Sequence, residues 1–357
     1  MRVLYFGTYE RDYPRNAEVI ACLRHAGVEV VEWHASVWER QRHKYGAGVG
    51  SAIRLARAEL RLLRRPRIDF DVVIVGYPGQ FDMPLARRIA GKRPLVFNPA
   101  TSLYDAIVLD RGRWRTSSPL ARLLKAFDRH AFRLADLVVA ETEANADFIA
   151  ALTGVPRERI VACFLGAWEP LFQPGRAPST PFHCLYHGKL IPHHGLGTIL
   201  EAARLAPGVQ FRIVGAGQLD ALLDEGVPPN VERVGWVERE RIPAELWHAG
   251  CALGVFGTND RVGRVFTNKA FEALACSTPL ITADTPAARE LLVDGESALL
   301  IPPGDPAALA SAVERIAADP GLADRLSRGG RAAYAGRASR AVLGGRWRSL
   351  LEELVAR

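Results

Sequence analysis

Short apolar runs alternate with longer amphipathic segments along the first half of the chain. The apolar runs are 2–6, 28–31, 71–76, 94–97 and 135–140. The segments with helical spacing of apolar positions include 17–26, 84–90 and 118–134. Runs of four to six residues rich in valine, isoleucine and leucine are typical of buried strands, and the segments between them are typical of helices.

The same alternation starts again after a proline- and glycine-rich stretch at 171–181, which has the composition of a linker. The strands predicted there lie near 182–188, 209–214, 231–234, 252–255, 279–282 and 298–301. The helices predicted there are 197–205, 268–276, 286–293 and the helical segment 306–357. Strands that alternate with helices form parallel sheets, so the sequence predicts two doubly wound, Rossmann-like α/β domains in tandem. Ligands are expected outside the carboxyl ends of the strands, in a cleft between the domains.

Composition places the chain among soluble globular proteins, since 48% of its residues are hydrophobic and 24% are charged. No apolar run approaches the roughly 20 residues of a membrane-spanning helix. The first residues lack a signal-peptide pattern, and we therefore expect a cytoplasmic protein. The five cysteines are scattered without a CxxC pair, which favours buried reduced thiols over a disulfide framework or a zinc knuckle.

The basic residues are distributed unevenly. The net charge is +7, and nine basic residues from Arg40 to Arg67 are opposed only by Glu59. Residues 51–64 place leucines among arginines, which fits a core-packing helix with a solvated basic face. The pattern also fits an interfacial helix that contacts an anionic membrane through residues 40–67. Nucleic acid is not expected as a partner, because no recognisable reading module accompanies the charge.

Two loops carry residues suited to a phosphate-bearing ligand. Gly188, Lys189 and His194 lie between a strand and a helix, and glycine amides, lysine and a helix N-terminus all favour phosphate. The alternative is a plain strand–helix turn. The second loop, 215–217, lacks the third glycine of a dinucleotide fingerprint, so NAD binding is not supported.

The segment 261–279 runs from a polar loop into an alanine-rich helix. Glu272 lies one turn inside that helix, where a carboxylate can accept two hydroxyls of a sugar such as ribose. The alternative is a favourable charge near a helix N-terminus. Lys189 and Lys269 are the only lysines after residue 168, which indicates a need for a compact ammonium group at both positions.

The order of these motifs resembles that of the family 4 retaining glycosyltransferases, which have the two-domain GT-B fold. The resemblance covers the whole chain and rests on HGK…HHGLGTILEAARL, RIVGAGQL and NKAFEALACSTPLITADTPAARELLVDGESALLIPPGD. It implies that the domain 169–337 holds a nucleotide-sugar donor. It implies that the domain 1–168, joined by a last helix at about 338–357, presents the acceptor. Transfer of the sugar would retain its anomeric configuration by front-side displacement, and it would need no metal ion and no further cofactor.

Carried over position by position, the resemblance implies a set of donor-binding residues. They are Gly7, Gly188, Lys189, His194, Gly215, Gly217, Val237, Arg264, Asn268, Lys269 and Glu272. The implied catalytic residues are Lys189, Lys269 and Asp105. Two positions depart from the family pattern: His194 replaces the usual second basic residue, and Arg264 replaces the first of two paired glutamates.

The strand ends of the first half supply the expected acceptor side. Its residues are Tyr9, Asn98, Ser102, Asp105, Asp110 and Arg111. A surface or helix-cap role is the alternative for Asp105. The resemblance favours a UDP-sugar as donor, with GDP-mannose as the alternative, and a glycan, a lipid-linked sugar or a small molecule as acceptor. Two other functions fit the same fold: 2-epimerisation of a nucleotide sugar, and nucleotide-sugar or membrane-surface binding without catalysis.

Overall fold

The computed structural model describes residues 1–38, 49–63, 68–175, 180–224 and 226–357. The chain divides into two compact units. Unit 1 consists of Met1–Leu165 and Arg340–Arg357, and unit 2 is Gly166–Ser339. Each unit contains a six-stranded parallel sheet covered by helices, which confirms the predicted fold class of two Rossmann-like α/β domains.

Unit 1 has the strand order β2-β1-β3-β4-β5-β6. Its strands are β1 (Arg2–Gly7), β2 (Glu29–His34), β3 (Val72–Val75), β4 (Leu95–Phe97), β5 (Leu137–Ala140) and β6 (Ile160–Ala162). Its helices are α1 (Pro14–His25), α2 (Val49–Leu62), α3 (Met83–Ala90), α4 (Pro119–Arg133), α5 (Glu143–Thr153) and α12 (Arg340–Ala356). Because side chains alternate across a strand, β1 contributes Leu4 and Phe6 to one apolar cluster and Val3 and Tyr5 to another. The sheet therefore has a core on both faces.

The last helix, α12, packs on α1 of unit 1. Its buried residues Leu343, Trp347 and Leu351 lie in one cluster with side chains of β1 and α1. Gly344 permits the close approach, since a Cβ there would lie 2.6 Å from the Cys22 carbonyl oxygen. The helix is thus part of the core of unit 1.

Unit 2 has the strand order β12-β11-β10-β7-β8-β9. Its strands are β7 (His183–His187), β8 (Gln210–Val214), β9 (Val231–Gly235), β10 (Cys251–Leu253), β11 (Leu280–Ala283) and β12 (Leu299–Ile301). Its helices are α6 (Leu196–Leu205), α7 (Ile242–His248), α8 (Asn268–Ala275), α9 (Pro286–Arg289), α10 (Pro306–Ala318) and α11 (Pro320–Arg337). β7 and β10 occupy the middle of the sheet, and all of their residues except the half-buried His183 are buried.

Several elements differ from the predicted ones. The helix predicted at 286–293 ends at Arg289, because the chain turns there and the Ser297 hydroxyl accepts a hydrogen bond from the Val293 amide at 2.7 Å. The helical segment predicted from 306 onward is interrupted at Asp319 and again before Arg340, which gives three helices. All five cysteines are buried free thiols, as predicted.

Candidate functional site

The candidate ligand site of unit 2 lies where β7 and β8 end. The chain leaves β7 through Gly188, whose φ of +127° favours glycine, and leaves β8 through Gly215 and Gly217. The two loops touch, since a Cβ on Gly215 would overlap the Gly188 carbonyl oxygen and a Cβ on Gly217 would lie 2.6 Å from the Leu190 carbonyl oxygen. The glycines at 188 and 215–217 therefore permit a close packing of main chain at this edge of the sheet.

A buried lysine contacts the first of these loops. Lys269, from the first turn of α8, is only 5% exposed, and its Nζ lies 3.2 Å from His194 Nδ1. The Tyr186 hydroxyl donates to the Lys189 carbonyl oxygen at 2.8 Å and lies 2.7 Å from His194 Nδ1. The sequence-predicted residues Lys189, His194 and Lys269 are thus brought together, although the side chain of Lys189 is exposed.

Burial sets the protonation of this cluster. It lowers the pKa of Lys269 well below its ordinary value, and nearby Glu272 opposes the shift. Burial, followed by the proximity of Lys269, also lowers the pKa of His194 well below its ordinary value. An anion bound beside these groups would favour their charged forms.

Glu272 lies one turn further along α8 and is already engaged within unit 2. Its Oε2 is 2.9 Å from His187 Nε2, and its Oε1 is 3.8 Å from Arg239 Nη2. The second ring nitrogen of His187 is buried without a hydrogen-bond partner among the described residues. The carboxylate predicted to bind ribose therefore also anchors the end of β7 to α8.

Tyr186, His187 and Arg239 were not predicted as site residues. Tyr186 and His187 directly precede Gly188 at the end of a strand, a position that could have marked them. Arg239 lies on a short turn between β9 and α7, and no local sequence signal points to it.

Three further predicted donor residues also belong to unit 2. Asn268 begins α8 and is half-buried. Arg264 is half-buried in the preceding loop, where its Nε donates to the Asp260 carbonyl oxygen at 3.2 Å. Val237 is half-buried just after β9, next to Trp236, which is exposed.

In unit 1, Gly7 ends β1 and lies directly beside a buried carboxyl group. Its φ is +122°, and a Cβ there would overlap Asp82. Asp82 accepts hydrogen bonds from the Thr8 amide at 2.8 Å and from the Thr8 hydroxyl at 2.9 Å. The glycine is therefore required by the packing of Asp82, whatever ligand the loop meets.

Two predicted acceptor residues of unit 1 are fully buried and bonded internally. The Tyr9 hydroxyl donates to Glu32 Oε2 at 2.7 Å. Asn98 Oδ1 accepts from Arg15 Nε at 2.7 Å, and the Asn98 Nδ2 atom has no hydrogen-bond partner among the described residues. Tyr9 thus joins the loop after β1 to β2, and Asn98 joins the end of β4 to α1.

The remaining predicted acceptor residues lie in the segment after β4. Ser102 and Asp105 are buried, and the Ser102 hydroxyl accepts from the Asp105 amide at 2.9 Å. Asp105 is the first residue of a short π-helical segment, Asp105–Asp110, whose N-cap position is Tyr104, and its Oδ2 accepts a hydrogen bond from the Thr101 hydroxyl at 3.3 Å. Asp110 and Arg111, at the other end, are half-buried.

Other expectations concern metals and membranes. Within the described ranges, no three histidine, cysteine or acidic residues lie close enough to hold a metal ion. None of the described helices is long and apolar enough to cross a membrane. Of the basic stretch 40–67, residues 40–48 and 64–67 lie outside the described residues, and α2 contains the described part.

The two units already define a structural class: tandem parallel α/β units, the second of which has glycine loops and a buried lysine at the ends of its strands. Family models match both. Residues 2–166 match the glycosyl transferase 4-like domain, and residues 181–319 match the glycosyl transferases group 1. The chain belongs to this glycosyltransferase family, which confirms the resemblance seen in the sequence.

Individual curated relatives have only modest sequence identity to the chain. The chain is 26% identical over 220 residues to the lipopolysaccharide core biosynthesis glycosyltransferase LpsE of Rhizobium meliloti, covering 59% of this chain and 63% of that protein. It is 29% identical over 241 residues to the D-inositol 3-phosphate glycosyltransferase of Streptomyces bingchenggensis, covering 60% and 52%. The chain thus spans between half and two thirds of the length of these relatives.

Solved structures share the fold over nearly the whole chain. Anabaena HepE in complex with UDP-glucose has a TM-score of 0.72 at 16% identity, covering 99% of this chain and 100% of that one. Sucrose-phosphate synthase from Thermosynechococcus elongatus has a TM-score of 0.76 at 17% identity, covering 99% of each chain. At these identities the likeness establishes the GT-B fold alone.

Proposed function

We propose that the protein is a retaining glycosyltransferase that moves a sugar from a nucleoside diphosphate to an acceptor hydroxyl. The donor proposed is a UDP-sugar, with GDP-mannose as the second choice, and no metal ion takes part. The acceptor is a glycan, a lipid-linked sugar or a small molecule. The observation that carries the proposal is the contact of Lys269 with His194 and Tyr186 beside Gly188.

This cluster has the properties that a diphosphate leaving group requires. Lys189 and Lys269 are cationic when protonated, and α6 begins directly after His194 and Gly195. When the bond to the sugar breaks, negative charge develops on the diphosphate, and preorganised cations and amides stabilise it. Because Lys269 is buried, its interaction with that charge is screened little by water.

Glu272 is proposed to hold the ribose of the donor. Its carboxylate lies one helical turn from Lys269, so ribose and diphosphate contacts would come from one face of α8. His187 and Arg239 keep the carboxylate in place. A front-side displacement then needs only the acceptor hydroxyl held on the same side of the sugar as the departing diphosphate.

A binding screen tests the donor. Purified protein is mixed with UDP, GDP, dTDP or ADP, with and without EDTA, and its melting temperature is measured. A ligand that binds the folded state raises the melting temperature by linkage. We expect a shift with UDP that EDTA does not abolish. A folded protein that responds to no nucleotide would contradict the proposal.

Substitution of Lys189 tests the diphosphate contact. Lys189→Ala removes the ammonium group but keeps the main-chain carbonyl that accepts from Tyr186. Loss of one charge-assisted contact of about 1.5–3 kcal/mol should raise the Kd for UDP about 10- to 150-fold. Lys92→Ala, an exposed lysine of unit 1, is the matched control and should leave the Kd unchanged. Equal affinity in both variants would remove Lys189 from the site.

Product analysis separates transfer from the two alternatives. Incubation of the bound donor with and without acceptor should give a new glycoside, with the α or β configuration of the donor retained by NMR. An epimerase would convert the sugar without any acceptor. A protein that only binds the nucleotide sugar would leave the donor unchanged and give no product.

We also propose that α2 lies against an anionic membrane surface on the cytoplasmic face. The face of α2 away from the core exposes Ile53 and Leu60, which are 48% and 65% exposed. The exposed arginines Arg54, Arg57 and Arg61 lie among these apolar residues. Arginine beside exposed leucine suits the boundary between lipid headgroups and acyl chains.

Vesicle binding tests this contact. We expect the protein to sediment with vesicles containing phosphatidylglycerol and not with phosphatidylcholine alone, and salt should weaken the binding. Leu60→Gln should reduce it severalfold. Leu123→Gln on α4, a leucine 67% exposed, is the matched control. Equal sedimentation of both variants would show that α2 does not contact the lipid.

A further inference from the structure

Tyr186 lies under the candidate donor site and is not among the predicted ligands. It is fully buried in β7, where it pairs in register with Leu253 of β10 on one side and Ile213 of β8 on the other. Its main chain is therefore fixed by hydrogen bonding on both edges of the strand. A side chain on such a rigid element can hold other groups in one geometry.

The hydroxyl of Tyr186 connects two parts of the loop above it. It donates to the Lys189 carbonyl oxygen at 2.8 Å, and its oxygen lies 2.7 Å from His194 Nδ1. The same ring nitrogen lies 2.6 Å from the Lys189 carbonyl oxygen. One hydroxyl thus holds together the two ends of the turn that carries Lys189 and His194.

The ring of Tyr186 makes a separate contact. Lys269 Nζ lies 3.8 Å from the ring centroid, within the distance at which a cation is attracted to an aromatic face. Lys269 belongs to α8, which is far from β7 in sequence. The ring therefore places the ammonium group of a distant helix beside His194, where the two nitrogens are 3.2 Å apart.

We propose that Tyr186 is a positioning residue of the donor site, which holds Lys189, His194 and Lys269 in one arrangement before the donor binds. This inference rests on the proposed donor site in unit 2. In this arrangement Lys269 brings, from α8, an amine that a bound anion would keep protonated, and it lies next to the position where histidine replaces the usual basic residue. Tyr186 itself touches no donor atom and acts through the three residues around it.

Two substitutions separate the hydroxyl from the ring. Tyr186→Phe keeps the ring face for Lys269 and removes both hydroxyl contacts, whereas Tyr186→Leu removes the ring as well. We expect calorimetry with UDP to show a Kd about 5- to 20-fold higher for Tyr186→Phe, since hydrogen bonds of roughly 1 kcal/mol are lost. Tyr186→Leu should raise the Kd further, and partial recovery of affinity by phenylalanine identifies the ring contact.

Tyr334 offers a matched control. It is a fully buried tyrosine of the same unit, and its hydroxyl contacts Glu169 Oε1 at 3.2 Å and accepts from the Ala167 amide at 3.3 Å. Tyr334→Phe and Tyr334→Leu should lower the melting temperature about as much as the Tyr186 variants and change the Kd less than twofold. A Tyr186→Phe variant that binds UDP within twofold of the unsubstituted chain would overturn the inference.

A double-mutant cycle keeps the test decisive if Tyr186→Leu fails to fold. Tyr186→Phe is combined with His194→Ala, and the Kd for UDP is measured for both single variants and the double variant. If Tyr186 acts through His194, the double variant loses less affinity than the two single losses combined. Additive losses would overturn the inference. An unsubstituted chain that binds neither UDP nor GDP would overturn the donor site as well, so the two failures are distinguishable.

Discussion

Two carboxyl groups meet in the interior of unit 1. Asp82 is fully buried ahead of α3, and its partners are Thr8 and the carboxyl group of Glu59 on α2. Burial, followed by the contact with Glu59, raises the pKa of Asp82 well above its ordinary value. Burial also raises the pKa of Glu59, and among the described residues only the hydrogen bond with Asp82 opposes that shift. The pair is therefore stable when it shares a proton.

The shared proton makes stability depend on pH. Between about pH 4, where unfolded carboxyls titrate, and the raised pKa values of the folded pair, the folded state binds more protons than the unfolded state. The free energy of unfolding therefore falls as the pH rises through this interval. In Glu59→Gln the amide can donate to an ionised Asp82 carboxylate, so the decrease should be smaller.

We expect Glu59→Gln to be more stable than the unsubstituted chain at pH 9, by about 1 kcal/mol, and little different at pH 5. Urea unfolding at both values measures this. Glu353→Gln, at an exposed glutamate of α12, should leave the free energy of unfolding unchanged at both pH values. A variant that is less stable than the unsubstituted chain at pH 9 would contradict the shared proton.

The positions of individual site residues could be predicted from the sequence, whereas the contacts between their side chains could not. Motif order marked Lys189, His194 and Lys269, and the structure brings them together around one tyrosine. No local pattern could show that Tyr186 and Lys269 touch, because they lie on a strand and a helix far apart in the chain. Glu272 was marked in the same way, whereas its partner His187 became evident only from the packing of α8 against the end of β7.

Among the elements, the helix α12 carries a large part of the packing of unit 1. Trp347 is 1% exposed and lies in a cluster with Val19 and Leu23 of α1. Arg346 also donates to the Ala162 carbonyl oxygen of β6 at 2.6 Å. The helix α12 thus completes the core of unit 1, which also contains Met1–Leu165.

Trp347→Ala should therefore destabilise the protein strongly. Truncation of a buried tryptophan leaves a cavity and costs about 3–5 kcal/mol. Urea unfolding followed by circular dichroism measures the loss. Trp236→Ala, at a tryptophan that is 62% exposed, should cost less than about 0.5 kcal/mol. Similar losses in both variants would argue against a core role for α12.

Strands and helices were predicted correctly where the local hydrophobic pattern of the sequence matches the burial of the element in the structure. β3 and β5 are four-residue apolar runs buried on both sides, which is why their composition marked them. β6 has only three residues and α7 only seven, beginning Ile-Pro, so neither contains two full periods of its hydrophobic pattern. These short elements are stabilised by their neighbours in the sheet and not by local propensity.

Of the two units, unit 2 is the one to which donor binding is assigned by the proposed site. The contacts that support it all come from the ends of β7 and β8 and from α8. Unit 1 contributes Gly7 to the predicted donor residues, yet the adjacent Thr8 amide already donates to Asp82. Exchange of that amide should therefore be slow even without a ligand.

Hydrogen exchange of the full chain tests this assignment. At a UDP concentration of about 100 times its Kd, linkage stabilises the bound region by about 2.7 kcal/mol, which slows exchange through local opening about 100-fold. We expect the slowing in peptides covering 186–195, 215–219 and 264–275, and little change in peptides covering 3–9. Uridine at the same concentration keeps only the proposed ribose contact with Glu272, and it should protect these peptides far less than UDP because the cations of unit 2 then have no anion to bind. Protection by uridine equal to that by UDP would mean that the nucleoside, and not the diphosphate, is what unit 2 recognises.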